Sequence, residues 1–144
     1  MAEDVFDLQR FVDAQDFVYE RVKTELSRGH KTSHWIWFIF PQLYGLGSSA
    51  RSQKYGIRSR EEAAAYLAHP VLGPRLRECT ALVVACKGAT IDTILPPPDD
   101  VKFQSSMTLF EAVSDESDES LFREALEQFF GGVRDAATLS MLTG

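Results

Sequence analysis

Residues Lys31 to Gly47 read KTSHWIWFIFPQLYGLG, and Trp35, Ile36, Trp37, Phe38, Ile39 and Phe40 form an unbroken apolar run that holds both tryptophans of the chain. A segment apolar on all sides has no face to turn to water, so it is buried on several sides. A run this short does not separate helix from strand by periodicity. Helix is the expected form, with Ser33 as N-cap and Pro41 as terminator, because nothing else in the chain offers a strand to pair with. His34 before the run and Gln42 behind Pro41 are then carried to the edge of the core or into it, where a buried polar group needs a partner.

The segments on either side read as amphipathic helices. Phe6, Leu8, Phe11, Val12, Val18, Tyr19, Val22 and Leu26 make an apolar stripe that predicts one helix of about twenty residues. Asp4 or Asp7 caps it, and Gly29 supplies a left-handed residue at its end. Gln15 lies on that stripe, one turn from Phe11 and Tyr19, so its amide is aimed at the core or at a cleft; the simplest partner is a nearby backbone carbonyl. Beyond the aromatic run, YGLGSS invites comparison with a phosphate-binding glycine loop, but it lacks the Lys-Ser/Thr pair and a preceding parallel strand, which favours a structural turn.

Ser59 and Glu62 fit a capping box opening an alanine-rich helix to Ala68, and a second helix follows from His69-Pro70 to Lys87-Gly88. A short turn over Ile91–Leu95 is stopped by Pro96-Pro97-Pro98. Asp99 and Asp100 cap the next helix, DDVKFQSSMTLFEAV. After an acidic loop, Ser114 to Glu119, a helix carries Leu121, Phe122, Leu126, Phe129 and Phe130 and closes at Gly131-Gly132; a last one starts near Asp135. No segment shows sustained period-two alternation. The expected fold is all-α: a single compact domain over residues 1–144, with seven to nine mostly short helices around a buried aromatic helix.

Composition narrows the partners. At 144 residues the chain is long enough for a full core. Its net charge of −6, with acidic residues gathered between Glu111 and Glu127, repels a phosphate backbone, so nucleic acid is not an expected partner. No apolar run approaches a membrane span. Cys79 and Cys86, two turns apart on one helix, sit roughly 10.5 Å apart along its axis, too far for a disulfide. With an N-terminus that lacks both a basic and an apolar leader segment, this gives the reducing cytoplasm as the expected compartment.

Two places could carry chemistry. His30 and His34 stand four apart, a spacing that puts two metal ligands on one helix face, but Gly29 and Ser33 break such a helix and no H-E-x-x-H carboxylate is present. No metal or cofactor is therefore expected. His34 alone, beside the apolar run, suits a neutral ring that donates at one nitrogen and accepts at the other, as a general base or a ligand contact would; the plainer reading is a core histidine tied to a backbone carbonyl. On the Asp99 helix, Lys102, Ser105 and Ser106 share a face, and a lysine with two hydroxyls can hold a phosphate, a carboxylate or a ribose. A serine nucleophile with a lysine base is disfavoured, because the S-x-x-K order is reversed. Asp99 is most simply a cap, or it orients Lys102.

The blocks DLQRFVDAQ (Asp7 to Gln15), HWIWFIFPQLYGLG (His34 to Gly47), EEAAAYLAHPVLGPRLRECT (Glu61 to Thr80) and DDVKFQSSMTLF (Asp99 to Phe110) resemble the domain of unknown function 1810 family, small proteins often mislabelled calpastatin. Ile36 stands where the family often has methionine, and Phe103 where it often has leucine. The resemblance covers nearly the whole chain and implies a compact all-helical domain with no established activity. A distant likeness of that family to the NADAR proteins implies action on N-glycosidic linkages of ADP-ribose-like or riboflavin-pathway compounds, a fold-level analogy.

Taken together, these readings point to a small-molecule hydrolase acting on a nucleotide-like or ADP-ribose-like compound, in a cleft between the aromatic helix and the Lys102 helix. Trp35 or Trp37 would stack on a base. Gln15, Gln42, Lys102, Ser105 and Ser106 would contact the ligand, and His34 or Asp13 would handle the proton. The competing classes are a non-catalytic metabolite-binding or protein-interaction module using the same cleft, and a ligand-free structural protein recognised by an exposed apolar patch.

Overall fold

The structure, a computed structural model, describes residues 4–143, with the backbone alone for residues 116–119. Ten helices occur among the described residues: α1 (Gln9–Asp16), α2 (Tyr19–Ser27), α3 (Ile36–Ile39), α4 (Ala50–Lys54), α5 (Arg60–Ala68), α6 (Leu72–Val84), α7 (Ile91–Ile94), α8 (Asp99–Val113), α9 (Glu116–Phe130) and α10 (Ala136–Thr143). The sole strand-like pairing among them is an isolated parallel bridge between Leu43 and Ile57. Among the described residues no helix is long and apolar enough to cross a membrane.

The expected first helix is two helices. Six residues at 100° each place Val18 about 240° around a straight helix from Val12, so one straight rod cannot turn both to the core. The chain breaks at Phe17 and Val18, where Val18 has φ −126°, and the rotation brings Val22 and Leu26 inward while Phe17 is left 91% exposed. Asp4 is the cap: its carboxylate accepts from the Leu8 and Gln9 backbone N–H groups at 2.7 and 2.9 Å.

The aromatic run is buried as its composition requires, but only one helical turn forms in it, over Ile36–Ile39. Ser33 does not cap that turn; its hydroxyl is bound to Glu25 instead. Pro41 holds Phe40 in extended backbone, with ψ 72°, and so ends the turn. The helix with the most neighbours is α8, which packs on α3, α5, α7, α9 and α10. Phe103 and Ser105 through Phe110 are all buried on it, which is why its sequence shows little amphipathic contrast. An edge-to-face pair joins the aromatic run to α8, Phe40 against Phe103 at 4.9 Å, and another joins α1 to α5, Phe11 against Tyr66 at 5.0 Å.

The helix ends follow their sequence signals in most places. Ser59 accepts from the Glu62 N–H at 3.0 Å, Asp135 accepts from the Thr138 N–H at 2.9 Å, and Gly29, Gly131 and Gly132 have positive φ. At the α5–α6 junction His69 does more than end a helix. Its Nδ1 accepts from the Val71 and Leu72 N–H groups at 3.1 and 3.2 Å and so caps α6. Helix α9 begins at Glu116, inside the stretch expected to be an acidic loop.

Candidate functional site

Glu25 organises the segment that leads into the aromatic turn. It lies on the apolar stripe of α2 between Val22 and Leu26, only 6% exposed, and its carboxylate accepts four hydrogen bonds. The Thr32 N–H, the Ser33 N–H and the Trp35 indole N–H donate to Oε1 at 2.8, 3.0 and 3.0 Å, and the Ser33 hydroxyl donates to Oε2 at 2.5 Å. Burial works to raise this carboxyl, and the hydrogen bonds from Ser33, Thr32 and Trp35 overcome it, bringing the group down to about 2. The same segment is tied to α7 on its other side: the Lys31 N–H donates to the Ile94 carbonyl at 2.8 Å, and His30 Nδ1 donates to the Thr93 carbonyl at 2.8 Å.

Between this tethered segment and the start of α8 lies a cavity of about 330 Å³, lined by Lys31 to His34, Trp37, Pro96 to Asp99 and Lys102. It falls within the size range of small-ligand sites. Two cations face it, in different states. Lys31 is buried and paired with Asp99 at 2.6 Å, with its ammonium 5.1 Å from the centre of the Trp35 ring. Lys102 is half-buried, and its ammonium has no hydrogen bond or ion pair among the described residues. Asp99 therefore serves Lys31, and neither caps α8 with its side chain nor orients Lys102. His34 is exposed at the mouth rather than sealed among the apolar side chains that follow it. Trp37 is half-buried, with the Arg51 guanidinium of α4 lying 4.9 Å from its ring centre.

His34, Trp37 and Lys102 thus meet at one cavity, and the other residues singled out from the sequence lie elsewhere. Trp35 is fully buried and committed to Glu25 through its indole N–H, which leaves Trp37 as the tryptophan with surface to offer. Gln15 is buried and donates to the Phe38 carbonyl at 2.6 Å and the Tyr66 hydroxyl at 3.0 Å, the backbone partnership its position favoured. Gln42 stands outside the cavity and accepts from the Ile57 N–H through its own carbonyl. Ser105 donates back to the Val101 carbonyl at 3.2 Å. Ser106 is fully buried, and its hydroxyl is the single buried side-chain polar atom among the described residues without a hydrogen bond. Asp13 is exposed on α1, where it accepts from Gln9 at 2.8 Å.

Sequence reasoning missed Glu25, Lys31 and Arg51. A carboxylate at i+3 from Val22 and i−1 from Leu26, on an apolar stripe, was the legible signal for Glu25. Among the described residues no group of three or more His, Cys, Asp or Glu side chains converges as a metal would need. Cys79 and Cys86 are both free, and burial pushes the Cys79 thiol up to about 12, away from nucleophilic use.

A family model described as protein of unknown function (DUF1810) matches residues 5–142. The chain belongs to the DUF1810 family. This DUF1810 protein is similar along its length to the conserved hypothetical protein Rv1873 from Mycobacterium tuberculosis, with 50% sequence identity and a TM-score of 0.95 over 98% of this chain and 99% of that one. No curated protein matches it.

Proposed function

We propose that the cavity between the Lys31–Trp37 segment and the start of α8 binds an anionic small molecule that carries a planar ring, of nucleotide or ADP-ribose type. The carrying observation is the contrast between the two lysines: Asp99 neutralises Lys31, while Lys102 faces the same space with no partner among the described residues. An ammonium with no protein partner is free to form charge-assisted hydrogen bonds to an anion. Trp37 offers the ring surface on which a base stacks. Two thiols that form no disulfide suit a reducing cytoplasm, where such metabolites are abundant.

Hydrolysis of an N-glycosidic bond is the chemistry the lining favours. Asp99 and His34 both line the cavity. In this reading the bond between the anomeric carbon and the base nitrogen breaks as water adds at that carbon, and His34 takes the proton the water loses and passes it to the departing nitrogen. Asp13, outside the cavity, takes no part. A non-catalytic binding module is the second reading, favoured by one observation: His34 has no hydrogen bond among the described residues that would fix its ring.

Isothermal titration with AMP, ADP, ADP-ribose and ribose 5-phosphate tests the binding, and product analysis of the same incubations tests turnover. At least one compound is expected to bind wild type, with affinity lowered roughly tenfold or more in Lys102→Ala, as for loss of one charged hydrogen bond. Binding that survives Lys102→Ala unchanged would sink the assignment of the site. Binding without product leaves the module reading in place of the hydrolase.

A further inference from the structure

The Arg51 guanidinium covers a face of the Trp37 ring at 4.9 Å, yet Arg51 does not line the cavity that Trp37 lines. Arg51 thus stands over the ring from outside the cavity lining. Arg51 is exposed and sits in the short helix α4 capped by Ser49, and its guanidinium has no hydrogen bond or carboxylate partner among the described residues; it lies over this ring. An indole in a binding cavity ordinarily attracts cations, because its faces carry negative potential. Here a cation already occupies one face and draws on that potential. On the cavity side the unpaired Lys102 adds positive charge.

We infer that Arg51 is a positioning residue that sets the charge preference of the aromatic subsite, so that Trp37 stacks neutral or anionic rings and rejects cationic ones. The inference rests on the proposed ligand class and adds a discrimination within it. Among ribose monophosphates that differ only in the ring, one with an uncharged base is bound in preference to one with a positively charged pyridinium. Arg51 acts on this choice through Trp37, with no contact to the ligand's phosphate.

The test is a pair of dissociation constants, for AMP and for nicotinamide mononucleotide, measured on wild type, Arg51→Met, Arg51→Lys and Lys102→Ala. Methionine keeps the packing over the indole and removes the charge; lysine keeps a charge. Wild type is expected to favour AMP. Arg51→Met is expected to narrow the ratio roughly two- to fivefold, the size of an exposed cation–π contact, chiefly by tighter binding of nicotinamide mononucleotide, and Arg51→Lys to hold it near wild type. A merely structural Arg51 would weaken both ligands together and leave the ratio unchanged, which overturns the inference. If Lys102→Ala lowers affinity while the ratio is indifferent to Arg51, the cavity assignment stands and this inference alone fails. If neither nucleotide binds wild type, the ligand class and the inference fall together.

Discussion

Glu25 shows how one carboxylate can hold a loop segment in shape. Its group titrates at about 2 in place of an ordinary 4.5, and a carboxyl with a depressed folded pKa stabilises the fold fully above the unfolded value and loses that contribution as pH falls. Between pH 4.5 and 2 the loss should approach about 3 kcal/mol. In urea titrations Glu25→Gln is expected to be about 3 kcal/mol less stable than wild type at pH 7, with the gap closing toward pH 2; a gap independent of pH would refute the linkage. Asp99→Ala removes one partner of a buried pair and leaves the Lys31 ammonium uncompensated, a change expected to cost about 3–5 kcal/mol, whereas Lys102→Ala should leave the melting temperature near wild type. At this scale the sequence disclosed residue types better than partners. His34, Trp37 and Lys102 were legible because they stand out chemically within short segments. Lys31 with Asp99, and Trp35 with Glu25, were not, because which acid meets which base depends on how segments distant in the chain are folded together.

Among the elements, the junction of α5 and α6 makes a demand that composition conceals. A Cβ built on Gly73 would lie 2.2 Å from the Leu67 carbonyl oxygen and 2.8 Å from an Arg77 nitrogen. Gly to Ala inside a helix normally stabilises by up to about 1 kcal/mol. Here the sign is expected to reverse, with Gly73→Ala losing about 1–3 kcal/mol through overpacking, as chemical denaturation would show; a stabilised variant would mean the junction can open at little cost. The α1–α2 break makes the opposite demand. Phe17→Ser should change stability by no more than about 0.5 kcal/mol, as for an exposed site, against about 3–5 kcal/mol for Phe11→Ala in the core. Element types were legible because capping residues and glycines act locally, and Ser59, Asp135 and Gly131 did what their chemistry implies. The break at Phe17 was foreshadowed only by the six-residue gap between Val12 and Val18. The one-turn length of α3 could not be seen at all, since Ser33 is diverted to an acceptor on α2.

For the whole molecule the long helix at the centre is α8, and the cavity sits where its first turn meets the segment tied by Glu25. That segment is a loop by backbone geometry, yet the Thr32 and Ser33 N–H groups end on a charged acceptor and the Lys31 N–H on the α7 carbonyl of Ile94. In native-state hydrogen exchange these three amides are expected to open with free energies close to those of helix interiors, not within the low range of exposed loops; fast exchange at all three would show that the tether yields. A wall held this way is ordered before any ligand arrives, so under the proposed function little ordering entropy is spent on binding. The consequence is kinetic: association should proceed in one phase whose rate rises linearly with ligand concentration, without the plateau that a rate-limiting closure of the segment would impose.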